Sequence, residues 1–187
     1  MRRVLWVVVG AAAIAVVLFL LDRSWTLVAI GTGATANEPT ISCKDRVLSE
    51  GVTYHIRGPR RGEMVAFHAS GSTTGRITPD AHARDLVVLR RVVAIPGDQV
   101  VGRGGAVYVN GVKIDDIRTT AFKEVDLSGG EYFVLGDNRS ASQDSRTFGP
   151  VPRNAIFGHV FLVFWPLSDF GGVPGRRAGA PPGKISC

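Results

Sequence analysis

The sequence lacks the residue patterns that build metal centres and nucleic-acid surfaces. Its 187 residues include only two cysteines, and its four histidines are scattered without the spacing of metal ligands. The chain is basic, with a net charge of +6, but its arginines are spread out and lack the interleaved aromatic residues of a base-stacking sheet. We therefore expect no metal, no other cofactor and no nucleic-acid partner.

Charge is also absent from residues 4–21, and about 18 uncharged residues is the lower limit for crossing a bilayer core. Two arginines precede this run, whereas Asp22 and Arg23 nearly cancel after it, so the positive-inside bias places the N-terminus in the cytoplasm. The run is longer than the apolar part of a cleavable signal peptide. We expect residues 1–23 to be a cytoplasmic N-terminus followed by an uncleaved transmembrane anchor in the cell membrane.

This topology would place both cysteines, Cys43 and Cys187, on the oxidising side of the membrane. A disulfide between them would close a very long loop. Two unpaired thiols agree equally well with the sequence, so the pairing stays open.

Beyond residue 23 the chain shows short β-type runs and no sustained helical period. The runs cover residues 25–30, 64–68, 86–94, 107–114, 132–135 and 156–165. Asn110-Gly111 divides the fourth run and is a strong hairpin signal. We predict an all-β domain over residues 24–168, with a polar loop at 69–83 and a flexible C-terminal tail over 169–187.

Four stretches follow one another in the order found in type I signal peptidases. They are ATANEPTISCKDRV (34–47), PRRGEMVAF (59–67), LRRVVAIPGDQV (89–100) and GDNRSASQDSRTFGPV (136–151). The first resembles the family's Ser-Met-x-Pro-Thr motif and the third the segment that follows its lysine, while the fourth matches without a gap. The chain thus resembles this family over residues 25 to 165. The resemblance implies an all-β extracytoplasmic domain of signal peptidase type, with one N-terminal transmembrane helix.

The resemblance also implies a serine-type endopeptidase with a serine nucleophile and a lysine general base. Burial lowers the pKa of such a lysine until it can accept a proton. In this chain the nucleophile position falls on Ala36 and the general-base position on Arg90. Alanine has no oxygen to attack a carbonyl, and a guanidinium is effectively always protonated. Thr35 is an alternative nucleophile, but in an extended segment it would point away from the site.

The supporting residues of the family's site are present. By resemblance, Ser142 would hydrogen-bond the lysine, while Asp144 and Arg146 would pair beneath the site. These residues also suit a purely architectural role, because they can fix a turn and an ion-pair network. We further predict that Gly97 and Gly136 adopt positive φ in turns.

Three functions agree with these observations. The first is a catalytically impaired signal peptidase I homologue that binds the signal peptides of secreted precursors at the outer membrane face, alone or with an active signal peptidase paralogue. The second is an active signal peptidase I that uses Thr35. The third is a non-enzymatic envelope scaffold.

Overall fold

The structure, a computed structural model, describes residues 2–29, 35–71, 77–83 and 86–175. Its described residues form mainly β-strands, as the sequence predicts. The helices are α1 (Arg2–Ser24), α2 (Val52–Ile56) and α3 (Ser145–Phe148). The strands are β1 (Trp25–Ala29), β2 (Arg46–Glu50), β3 (Met64–Gly71), β4 (Ile77–Pro79), β5 (Leu86–Ala94), β6 (Gln99–Arg103), β7 (Ala106–Val109), β8 (Val112–Lys113), β9 (Phe122–Asp126), β10 (Glu131–Leu135), β11 (Val151–Pro152), β12 (Ile156–Trp165) and β13 (Gly171–Gly172).

The N-terminal helix α1 contains the uncharged run 4–21, and the side chains of residues 6–18 are exposed. Among the residues that the structure describes, no helix is long and apolar enough to cross a bilayer. The transmembrane anchor over residues 1–23 stays a prediction.

The larger sheet is antiparallel and places the candidate site on its central strands. Within the described chain it holds nine strands, in the order β1-β2-β12-β3-β5-β10-β11, with β13 paired to β12 and β4 to β3. Strand β5 lies between β3 and β10, and each of its residues from 88 to 94 is buried. Arg90 and Arg91 belong to this buried stretch, so their charges have to be balanced inside the protein.

Alternating residues of β3 pack on the two faces of this sheet. Val65 and Phe67 join one apolar cluster, whereas Met64 and Ala66 join another. This is the two-residue period of a strand. Ile41, which lies within the first signal-peptidase-like stretch, is fully buried in the second cluster. The core therefore fixes the chain just beyond the nucleophile position.

The smaller sheet has the order β8-β7-β6-β9 and packs against β5 and β10. The rings of Phe122 and Phe133 stack across this junction with their centroids 5.1 Å apart. The predicted hairpin is confirmed, because Asn110 and Gly111 link β7 and β8 with φ values of 50° and 80°. Two successive positive φ angles are typical of a type I′ turn.

Two predicted irregular segments contain ordered strands. The loop predicted over 69–83 instead begins with the end of β3 and includes β4, which pairs with it at Ala69–Pro79; residues 72–76 lie outside the described part. The part of the predicted tail 169–187 that the structure describes, residues 169–175, also includes a strand. Gly171 and Gly172 pair with β12, and the Pro174 carbonyl accepts a 2.8 Å hydrogen bond from Arg91. Backbone pairing therefore orders segments whose composition alone suggested loops.

The structure shows the bonding state of one of the two cysteines. Cys43 is buried and disulfide-bonded. Cys187, the other cysteine of the sequence, lies outside the described residues.

The central cluster generates a stability prediction. Phe67 is fully buried, so Phe67→Ala should lower the free energy of unfolding by about 3–5 kcal/mol, through lost burial and a residual cavity. Phe170→Ala is the matched control, because that ring is 62% exposed and its loss should change stability by less than about 0.5 kcal/mol. Urea unfolding measures both variants, and equal losses would contradict the assigned core.

Candidate active site

The nucleophile position lies on a short 3₁₀ turn, Thr35–Asn37. The Asn37 amide donates a 2.9 Å hydrogen bond to the Leu89 carbonyl of β5, and the Ala36 carbonyl accepts a 3.0 Å bond from the Asn138 N–H. These two bonds fix the turn between β5 and the loop that follows β10. The prediction that this segment is extended is wrong, because the buried Asn37 side chain holds it as a turn.

Gly136 brings the nucleophile position and Ser142 together. A Cβ atom at this glycine would overlap both the Ala36 carbonyl oxygen and the Ser142 Oγ. The φ of Gly97 is 87°, as predicted, but Gly136 does not have the positive φ that we predicted for it. Its lack of a side chain serves this close approach instead.

The general-base position holds a buried arginine. The Arg90 side chain donates from Nε to the Gln143 carbonyl at 2.8 Å and from Nη1 to the Leu89 carbonyl at 2.6 Å. Burial lowers the pKa of this guanidinium to about 10; the nearby Asp144 opposes this shift and Arg146 adds to it. Arg90 therefore remains protonated at neutral pH and cannot accept a proton from a nucleophile.

Two buried polar atoms beside this arginine have no hydrogen-bond partner among the described residues. They are the Ser142 Oγ and the Asn37 Oδ1. The lysine that Ser142 would bind by resemblance is replaced by Arg90, whose Nε binds the carbonyl of the next residue, Gln143. The Ser142 hydroxyl is consequently left available.

The ion pair expected between Asp144 and Arg146 is present. Arg146 donates to the Asp144 carboxylate from Nε at 2.7 Å and from Nη2 at 2.8 Å. The same fully buried carboxylate accepts the Gly136 N–H at 3.0 Å and caps α3 through the Arg146 N–H. Asp144 thus ties the end of β10 to the start of α3.

Sequence reasoning missed a second buried pair, Arg91–Asp137. Arg91 donates two hydrogen bonds of 2.8 and 2.7 Å to the Asp137 carboxylate, which also accepts the Thr40 hydroxyl at 2.5 Å. This pair links β5 to the segment that follows the nucleophile turn. Its only sequence signal is an arginine inside the apolar run of β5.

A third pair, Arg139–Asp115, joins the same loop to the smaller sheet. Burial lowers the pKa of Arg139, while the Asp115 carboxylate opposes that shift. Arg139 also donates from Nε to the Gly136 carbonyl at 3.1 Å. Three carboxylate–arginine pairs therefore surround the site.

Thr35, the alternative nucleophile, is half-buried at the start of the 3₁₀ turn. Its carbonyl accepts the Glu38 N–H at 3.2 Å. No described residue hydrogen-bonds its hydroxyl. The structure therefore brings Thr35 near the site without a general base beside it.

A cavity of about 330 Å³ adjoins the turn and is lined in part by Glu38, Asp45 and Asp169. Burial raises the pKa of Asp45; the Ser42 N–H opposes this shift, while the neighbouring Asp169 adds to it. An acidic lining suits polar or cationic groups and not the small apolar side chains that precede a signal-peptide cleavage site.

The comparisons with known proteins agree with this site. The family described as signal peptidase, peptidase S26, matches residues 3–165. This chain belongs to the signal peptidase family. The resemblance predicted from the four sequence motifs is confirmed.

Individual relatives are similar over most of their length. A probable signal peptidase I-2 of Synechocystis sp. PCC 6803 is 33% identical over 172 residues, which cover 89% of this chain and 76% of the relative. Signal peptidase IB of Staphylococcus aureus is 31% identical over 188 residues, covering 88% and 91%. A solved signal peptidase I from Enterococcus faecalis V583 is 26% identical, with a TM-score of 0.40, and covers 55% of this chain and 97% of that one.

The buried pairs predict a strong loss of stability when one partner is removed. Asp137→Ala leaves Arg91 charged and buried, so the free energy of unfolding should fall by about 3–5 kcal/mol. Asp116→Ala is the control, because its pair with Lys113 is exposed and should contribute little to stability. Denaturant unfolding compares them, and similar small losses would show that the Arg91–Asp137 pair does not brace the site.

Proposed function

We propose that this chain takes part in signal peptide processing by binding signal-peptide segments without hydrolysing them. One observation carries the proposal: the two positions of the family's dyad hold a methyl group, Ala36, and a protonated guanidinium, Arg90. The rest of the site remains well ordered around these positions.

The chemistry of the family requires a hydroxyl that attacks the scissile carbonyl and a base that removes its proton. Ala36 provides no hydroxyl, and Arg90 is already protonated at neutral pH. Loss of one member of such a cooperating set typically lowers the rate by about 10⁴ to 10⁶. The alternative enzyme based on Thr35 has no support from the geometry, because no described side chain hydrogen-bonds that hydroxyl.

Peptide binding does not require the dyad. The backbone of the Thr35–Asn37 turn is held by Leu89 and Asn138, and neither bond involves the side chain at position 36 or 90. Members of the family accept an extended segment with small residues before the cleavage site, a mode that relies on backbone contacts and shallow pockets. A turn that is held without the dyad residues, in a family that binds extended peptides, favours a peptide-binding protein over an envelope scaffold. Its partner in processing would be an active signal peptidase paralogue.

The cleavage assay tests this proposal. A precursor with an Ala-x-Ala site, presented in detergent micelles, should give no mature product with the natural protein but should crosslink to it. The double variant Ala36→Ser with Arg90→Lys should gain measurable cleavage, because it restores both the hydroxyl and a base that burial can deprotonate. Each single variant is the control and should stay inactive.

The outcomes separate the three functions. Mature product released by the natural protein would overturn the proposal in favour of an enzyme. Absence of both product and crosslink would indicate a scaffold. Crosslinking without product, together with cleavage by the double variant, supports a binding protein with an intact substrate groove.

We further propose that the β domain is held at the outer membrane face by the N-terminal segment 1–23. The uncharged run 4–21 and the exposed apolar side chains of α1, such as Trp6 and Val7, support this location. In membranes from cells that express the full chain, the protein should stay in the pellet after alkaline carbonate extraction. Replacing two central residues, Ala12 and Ala13, by Asp should release it, because each buried charge costs about 2.5–3.5 kcal/mol in a spanning helix. Release of the natural protein would contradict the anchor.

A further inference from the structure

Arg90 differs from the other buried arginines around the site. Arg91, Arg139 and Arg146 each contact a carboxylate, of Asp137, Asp115 and Asp144 respectively. Arg90 is only 7% exposed, yet within the described part of the chain it forms no ion pair and donates only to two backbone carbonyls. The nearby Asp144 carboxylate stabilises the Arg90 charge only in part, because it is hydrogen-bonded to Arg146. A buried cation without a directly paired counter-charge is unfavourable.

The Arg90 guanidinium also keeps donor capacity. Nε and Nη1 are hydrogen-bonded, but Nη2 has no acceptor among the described residues. A guanidinium offers five N–H donors in a planar fork that matches a carboxylate. An anionic ligand with two oxygens would satisfy both the charge and the remaining donors.

A second donor lies in the chain segment that binds Arg90. The Ser142 Oγ is buried and without a partner in the described chain, and Ser142 precedes Gln143, whose carbonyl holds Arg90. The Ser142 Oγ and the Ala36 carbonyl both lie directly against Gly136. The unpaired cation, the free hydroxyl and the alanine at the nucleophile position therefore belong to one small region.

We propose that this region binds the free C-terminal carboxylate of an extended peptide that ends in a small residue, which is a signal peptide after cleavage. The inference rests on the proposed function and names its preferred ligand. Arg90 supplies charge-assisted hydrogen bonds to the carboxylate, and Ser142 donates a further one. Ala36 leaves the space that a serine side chain would occupy in an active member of the family.

The same site favours a cleaved peptide over an uncut precursor. In a precursor the terminal carboxylate is replaced by a neutral amide, which brings no charge to balance Arg90. Cleavage creates this negative charge, and the uncut precursor lacks it. The preference for the cleaved peptide thus follows from the negative charge of its terminal carboxylate.

The test uses three fluorescent peptides with the same Ala-x-Ala sequence, bound to the full chain in detergent micelles. One ends in a free carboxylate, one ends in an amide and one continues past the cleavage site. Fluorescence anisotropy should show the acid binding about tenfold or more tightly than the other two. Arg90→Gln should remove this preference, while Arg118→Gln, at an exposed arginine, should preserve it.

The outcomes distinguish carboxylate recognition from signal-peptide binding in general. Equal binding of all three peptides would leave signal-peptide binding intact and overturn carboxylate recognition. Absence of binding by every peptide would overturn the proposed function itself. If Arg90→Gln does not fold by circular dichroism, Ser142→Ala provides the second variant. It should reduce the acid preference several-fold, and an unchanged preference would overturn the carboxylate site.

Discussion

The buried carboxylate of Asp144 fixes the geometry on which the rest of the site depends. It is fully buried, caps α3, and holds both the Gly136 N–H and the Arg146 guanidinium. Because Gly136 is held in this way, the Ala36 carbonyl and Ser142 can approach it closely. The positions of the nucleophile turn and its neighbours are therefore set by a carboxylate that transfers no proton.

This arrangement separates family membership from activity. Each buried carboxylate–arginine pair would leave an uncompensated charge if one partner were lost, and such a change costs several kcal/mol. The pairs of Asp137 and Asp144 are needed by the fold whether or not a peptide bond is broken. The stretch 136–146, which makes the chain recognisable as a signal peptidase relative, thus reports the architecture around the site more directly than its chemistry.

Much of the fold was predictable where the signal was local. The runs 86–94 and 156–165 coincide with β5 and β12, because β-branched and aromatic residues favour strands. Strand β5 is buried continuously from residue 88 to 94, whereas β12 largely alternates between buried and half-buried residues. The prediction failed where contacts between residues far apart in the sequence determine the local structure. The turn Thr35–Asn37 depends on a bond from Asn37 to Leu89, 52 positions away. Strands β4 and β13 pair with the ends of β3 and β12, where these two central strands extend beyond their pairing with each other. No window of sequence contains those partners.

The identity of residue 90 argues against simple loss of a catalytic lysine. Ala36 carries no hydroxyl, so a base at position 90 would have no proton to accept from that residue. Buried in β5, the position would then be most stable with an apolar side chain, since a desolvated cation without a directly paired carboxylate is unfavourable. Arginine is among the least favourable residues for such a place unless its charge meets an anion there. Binding of an anionic ligand would explain an arginine at this position, whereas simple decay of an enzyme would not.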